Sequence, residues 1–257
     1  MNRIEALFQE KADGILNVYF TAGYPQLEST GTVLKSLSAA GADLIEVGIP
    51  FSDPLADGPT IQASNQQALD NGMTLSLLFE QVKSVRAEVE APIIFMGYFN
   101  QVMQYGEEEF CQSCVDTGVD GLILPDLPLE VYESEYRALF DRYGLGISFL
   151  VTPQTDEVRI RRIDAMSRGF IYAVSSAATT GGQGGISSAQ LDYFQRLRDM
   201  ELRTPHLIGF GVATAEDYQR CCRFSRGAIV GSAFIRAVTD VDNVAEATEH
   251  FVNKIKS

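Results

Sequence analysis

Histidine, cysteine and basic residues are scarce in this chain of 257 residues. The two histidines are His206, which follows Pro205 at an expected strand start, and His250, on the last expected helix. Neither position suggests histidine-based catalysis. Four cysteines do not make a disulfide framework in a chain of this size. Cys111 and Cys114 form a C-x-x-C, but inside an expected helix and without a second pair or clustered histidines; Cys221 and Cys222 are adjacent at a helix end. A zinc or redox site is therefore not expected, and neither is any other metal. Lysine and arginine number 20 against 34 acids, a net charge of −14. That balance argues against nucleic acid or an anionic membrane as partner, since both need a basic surface. A small anionic substrate stays open if backbone donors hold it. Long apolar runs are also missing. Ile93–Met96 and Gly121–Leu124 fall far short of the ~18 apolar residues of a membrane span. The first residues, MNRIEALFQEKADG, read as an amphipathic helix with Ile4, Leu7 and Phe8 on one face. They lack the apolar stretch and cleavage site of a secretory signal, so a cytoplasmic location is the expectation.

What the chain does have is alternation. At 46% hydrophobic it can bury a sizeable core. Expected strands at Ile15–Thr21, Leu44–Ile49, Ile93–Met96, Gly121–Leu124, Gly146–Val151, Phe170–Val174, His206–Phe210 and Ala228–Val230 are separated by helical patterns. Among those, Thr74 and Thr214 read as caps, and Gly41, Gly72 and Gly144 as stops. The strands are continuous apolar runs, as in parallel sheets covered on both faces. Eight strand–helix units in this length predict an α/β fold, a (β/α)8 TIM barrel with an extra N-terminal helix, in one domain over 1–257. A doubly wound open sheet is the alternative. The regular units, and the lack of G-x-G-x-x-G after the first strand, count against it.

Asp43–Pro59, DLIEVGIPFSDPLADGP, carries four acids, Asp43, Glu46, Asp53 and Asp57, with no cation among them. Glu46 sits inside an apolar strand. Leu44, Glu46 and Gly48 share one face, Ile45, Val47 and Ile49 the other, so Glu46 is expected to point into the barrel. A buried carboxyl without a cation is pushed towards its protonated form, which suits an acid or base. It equally suits a group that does no more than accept structural hydrogen bonds. Asp57 lies in a loop stiffened by Pro50, Pro54 and Pro59, either as a held carboxylate or as an Asx-turn residue before Gly58. Asp126, in LPDLP, is a third acid at a strand end and competes for the same role. The seventh and eighth expected strands exit through Gly209-Phe210-Gly211 and Gly231-Ser232, where barrels often bind phosphate. After the sixth, TTGGQGG at 179–185 is a flexible connection or a lid whose Thr180 meets a catalytic carboxylate on closing. Tyr19, Phe20, Met96, Ile123, Tyr172 and Phe210 fall within strands, as core or as the walls of a flat aromatic pocket.

Together these residues resemble the alpha chain family of tryptophan synthase. IEVGIPFSDPLADGPTIQ at 45–62, LPDLP at 124–128, GFG at 209–211 and GS at 231–232 carry the resemblance. It implies an aldehyde-lyase of L-tryptophan biosynthesis that splits indole-3-glycerol phosphate to indole and glyceraldehyde 3-phosphate. Glu46 matches the family's catalytic glutamate and Asp57 its aspartate. Gly181, Gly211, Gly231 and Ser232 match phosphate-site positions. Tyr19, Met96, Ile123, Tyr172 and Phe210 match indole-pocket positions. The resemblance implies no cofactor in this chain, with pyridoxal phosphate in a partner beta chain of an alpha2-beta2 heterotetramer. Asp53 and the segment around Asn100 would face that partner. An alternative is a subunit that mainly activates the beta chain. The chain departs from the family after the expected sixth strand. Where S-R-x-G-V-T-G is common, 175–181 reads SSAATTG, with Thr180 and Gly181 still aligned.

Overall fold

The computed structural model of the chain describes residues 2–54, 57–175, 188–209 and 211–257. Short apolar, β-branched runs become the strands β1 (Ile15–Thr21), β2 (Leu44–Gly48), β3 (Ile93–Met96) and β4 (Gly121–Ile123). β5 consists of two pieces, Gly146–Ile147 and Leu150–Val151. β6 (Ile171–Val174), β7 (His206–Gly209) and β8 (Gly227–Val230) complete the set. All pairings are parallel, and β1 lies between β2 and β8.

The sequence reads 146–151 as one strand, and the structure divides it. Gly146–Ile147 pairs with β4, whereas Leu150–Val151 pairs with β6. Between the pieces, Ser148 N–H donates to Leu122 O and Phe149 O accepts from Tyr172 N–H. One segment thus changes neighbour halfway along and closes the barrel.

The helices outside are α1 (Arg3–Glu10), α2 (Ser29–Ala39), α3 (Pro59–Asp70), α4 (Leu75–Val85), α5 (Phe99–Tyr105) and α6 (Glu107–Thr117). α7 combines Leu129–Val131, a π-helical turn Tyr132–Tyr136 and Arg137–Arg142. α8 (Glu157–Met166), α9 (Ser188–Asp199), α10 (Ala215–Cys222), α11 (Ser232–Ala237) and α12 (Val244–Lys256) follow. Thr74 and Thr214 cap α4 and α10 through hydroxyls that accept from Leu77 N–H and Asp217 N–H. α5 and α11 are not foreseen from periodicity. At seven and six residues they are too short to show a repeating apolar stripe.

Two apolar layers result. Ile45, Val47 and Ile49 belong to the layer between strands and helices, while Leu44, Ile94, Ile123 and Tyr172 fill the barrel. α1 closes the floor at the amino ends of the strands. Its Ile4 is fully buried, and a Cβ added at Gly121 would lie 2.8 Å from the Ile4 Cδ1. Phe8 meets Phe170 at 6.1 Å between ring centroids. Arg226 Nη2 ties the end of α1 down by donating to Phe8 O at 2.8 Å and Lys11 O at 2.7 Å. Asp43, the first acid of the central stretch, is neutralised here. Lys11 Nζ donates to its Oδ1 at 2.7 Å and Lys256 Nζ lies 3.5 Å from its Oδ2.

Candidate active site

Parallel pairing puts Tyr19, Glu46, Ile94 and Gly121 in one inward-facing row. The next row towards the carboxyl ends is Thr21, Gly48, Met96 and Ile123. Glu46 is fully buried, as its alternation with Leu44 and Gly48 requires. Two tyrosines flank it. A Cβ on Gly48 would fall 2.1 Å from the Tyr19 hydroxyl, and one on Gly209 would fall 2.5 Å from the Tyr172 hydroxyl. The two glycines therefore make the room in which those hydroxyls lie.

Charge follows burial. Desolvation pushes the Glu46 carboxyl up to about 8, against the opposing pull of the Asn17 amide. Desolvation also raises Asp57, to about 6. Burial raises the Tyr19 hydroxyl, helped by Asp57 and Glu46, and raises Tyr172, helped by Glu46 and Asp57. The four groups thus share one electrostatic neighbourhood. The protonated form is thus favoured at Glu46 and the ionised form at Asp57 near neutral pH. The turn that carries Asp57 is closed by its own N–H donating to Pro54 O at 3.0 Å. Gln62 Nε2 braces it by donating to Asp57 O at 2.8 Å.

The glycines of the last two strands follow neighbouring strands. Gly211, with φ of 82°, follows β7, and Gly231 and Ser232 follow β8, its hydrogen-bonded neighbour. Gly231 precedes the first turn of α11, where N–H groups lack intrahelical partners and suit an anion. Thr180, Gly181 and Phe210 lie outside the described residues.

Asp126 is brought elsewhere. It is exposed, and its Oδ1 accepts from Phe99 N–H at 2.8 Å, which anchors the start of α5. Asp53 and Asn100 are both exposed, on the loop after β2 and on α5. Those two segments are joined by stacking of Phe51 on Tyr98 at 4.7 Å and by Gln101 Nε2 donating to Pro50 O at 2.8 Å. His206 lies at the amino end of β7 with its Nε2 3.1 Å from Phe224 O, away from the mouth. Cys111 and Cys114 are buried free thiols in α6, and burial pushes Cys111 up to about 12. No group of acids, histidines and cysteines among the described residues could hold a metal ion.

Sequence reasoning passed over Asn17, whose Nδ2 donates to Glu46 Oε1 at 2.5 Å. The available signal was a polar residue in an apolar strand, two positions before Tyr19. It also passed over Ser64. Ser64 Oγ donates to Ile61 O at 2.8 Å and lies 2.7 Å from Thr21 Oγ1, which ties α3 to β1 just beyond the Asp57 loop.

Fold and site define a (β/α)8-barrel enzyme with two carboxyl groups of raised proton affinity at the catalytic end of its barrel. The sequence model of the tryptophan synthase alpha chain family matches residues 6–257, and the chain belongs to that family. It is 51% identical to the tryptophan synthase alpha chain of Parabacteroides distasonis over all of both chains. It is 50% identical to that of Flavobacterium psychrophilum, over 99% of this chain and 100% of the relative. Among solved structures, the alpha subunit from Legionella pneumophila superposes with a TM-score of 0.89 at 32% identity, covering 99% of this chain and 97% of that one. The tryptophan synthase complex from Pyrococcus furiosus superposes with a TM-score of 0.86 at 34% identity, covering 95% and 98%.

Proposed function

We infer that the chain is the carbon–carbon lyase of tryptophan biosynthesis. It cleaves indole-3-glycerol phosphate to indole and glyceraldehyde 3-phosphate. The observation that carries this reading is the fully buried Glu46, whose carboxyl is pushed up to about 8, sharing the tyrosines Tyr19 and Tyr172 with an Asp57 raised only to about 6. The reaction needs one proton delivered and one removed. Glu46 protonates the indole ring at C3, which makes an indolenine-like cation. The resulting carboxylate takes the proton from the side-chain hydroxyl as the C–C bond breaks and its electrons return to the ring. Glu46 ends protonated, so the cycle closes without a further acid. Ionised Asp57 accepts from the indole N–H and stabilises the positive charge that develops on the ring.

Tyr19, Met96, Ile123 and Tyr172 supply the inward surface for the indole, together with Phe210. The main-chain donors at Gly211, Gly231 and Ser232, with Gly181, receive the phosphate. Closure of Thr180 over the site belongs to the same reading. No metal or organic cofactor enters the cycle. A beta chain is the partner, in an alpha2-beta2 assembly whose pyridoxal phosphate sits in the beta chain. Asp53 and Asn100, on two braced and exposed segments, form part of the alpha face. The enzyme is read as one domain over 1–257, working in the cytoplasm.

The test is Glu46→Gln, which keeps size and hydrogen bonding but holds no exchangeable acid proton. Indole release is expected to fall by at least ~10³-fold, with binding of a phosphate-bearing indole analogue kept. Near-normal turnover would remove Glu46 from the mechanism.

A further inference from the structure

Glu46 has two carboxyl oxygens in unequal surroundings. Oε1 accepts from Asn17 Nδ2 at 2.5 Å, while Oε2 has no hydrogen-bond partner among the described residues. Asn17 is itself fully buried, and its Oδ1 is likewise unpartnered there. The register says from which side Asn17 comes. It pairs with Leu44, two residues nearer the barrel floor than the Tyr19–Glu46 pair. Asn17 therefore reaches Oε1 from below, and the mouth side of the carboxyl is left to Oε2. Among the described residues, the ionisable groups that interact with Glu46 are Tyr19 from β1 and Tyr172 from β6, and both tyrosines also feel Asp57 from the loop after β2. None is a cation, so none can orient a carboxylate by charge pairing.

We propose that Asn17 is a positioning residue that fixes Oε1 from the floor of the barrel, so that Oε2 is the atom that delivers and recovers the proton. This rests on the lyase reading of the site. A single free oxygen suits a reaction whose two proton transfers take place at adjoining atoms, the indole C3 and the hydroxyl on the carbon attached to it. A carboxyl free to rotate would present either oxygen, each in many orientations, and proton transfer depends on such alignment. The amide does a second thing. Its N–H stabilises the ionised state, which opposes burial and keeps the group able to release its proton.

The test is Asn17→Leu, of similar volume but without a donor, with Asn17→Ala as a second variant should the first fail to fold. The expected result is a fall of roughly 10- to 100-fold in kcat for indole release, with KM within about twofold. The Glu46 titration, followed by ¹³C NMR of labelled glutamate and assigned by its loss in Glu46→Gln, moves to higher pH. A residue that only fills space would lower stability without moving that titration. Unchanged kcat and unchanged titration in a folded variant would overturn the proposal. If the wild-type chain releases no indole, alone or with a beta chain, the lyase reading fails instead. The titration still reports whether Asn17 holds the carboxyl.

Discussion

Burial pushes the Glu46 carboxyl up to about 8, close to the range in which a proposed general acid is most effective near neutrality. Asp57 is nearer to solvent and is raised less, to about 6. In the proposed reaction the two values set the expected pH dependence. Asp57 must be ionised to accept from the indole N–H, so kcat/KM rises as pH climbs through about 6. Glu46 must start protonated, so kcat/KM falls as pH climbs through about 8. A bell between those limits is expected from initial rates of indole release. The substrate phosphate also titrates near ~6, so any acid limb that persists in Asp57→Asn belongs to the substrate. A profile flat to pH ~9 would contradict a protonated Glu46 as the starting acid.

At the scale of elements, the loops at the mouth hold one another. Asp126 fixes the first N–H of α5, Gln101 reaches back from α5 to Pro50, and Phe51 stacks on Tyr98. The stiff loop between β2 and α3 is thus braced from two neighbouring strands. At the other end α1 acts as a plug, with Ile4 under the barrel interior. Ile4→Ala would leave a cavity in the floor, below the carboxyl ends where the site opens. The expected loss of stability is about 2–5 kcal/mol by urea denaturation, with kcat close to wild type in the folded variant. A large fall in kcat without loss of stability would mean that the floor is coupled to the site.

For the whole molecule, the excess of acids leaves assembly to shape and to local contacts rather than to a general attractive field. Asp53 and Asn100 lie on exposed, braced segments at the mouth, where a partner receives a product most directly. Mixing the chain with a beta chain is expected to raise the rate of indole formation and to give a four-chain particle by light scattering. Asp53→Lys is expected to weaken that assembly by roughly tenfold, or about 1.4 kcal/mol, and to leave indole release by the isolated chain unchanged. Unaltered assembly would take Asp53 out of the interface.

The barrel was legible in the sequence because each unit is local. An apolar run, a glycine stop and a threonine cap need no knowledge of distant residues, and eight repeats of the pattern leave few architectures. Period-two alternation likewise sufficed to turn Glu46 inward, and the motif around it marked Asp57. The division of β5 was not legible, because it depends on which strand lies on either side. Nor was the fate of the other acids. Asp43 and Asp126 resemble Asp57 in sequence, yet tertiary contacts give one to Lys11 and Lys256 and the other to the backbone of α5. Asn17 is the clearest case. It lies 29 positions from Glu46, and only the register of two parallel strands brings its amide to the carboxyl. Local propensity and periodicity determined the elements and their facing. Partnership between side chains was decided by packing, because a hydrogen bond depends on distance in space and not on separation along the chain.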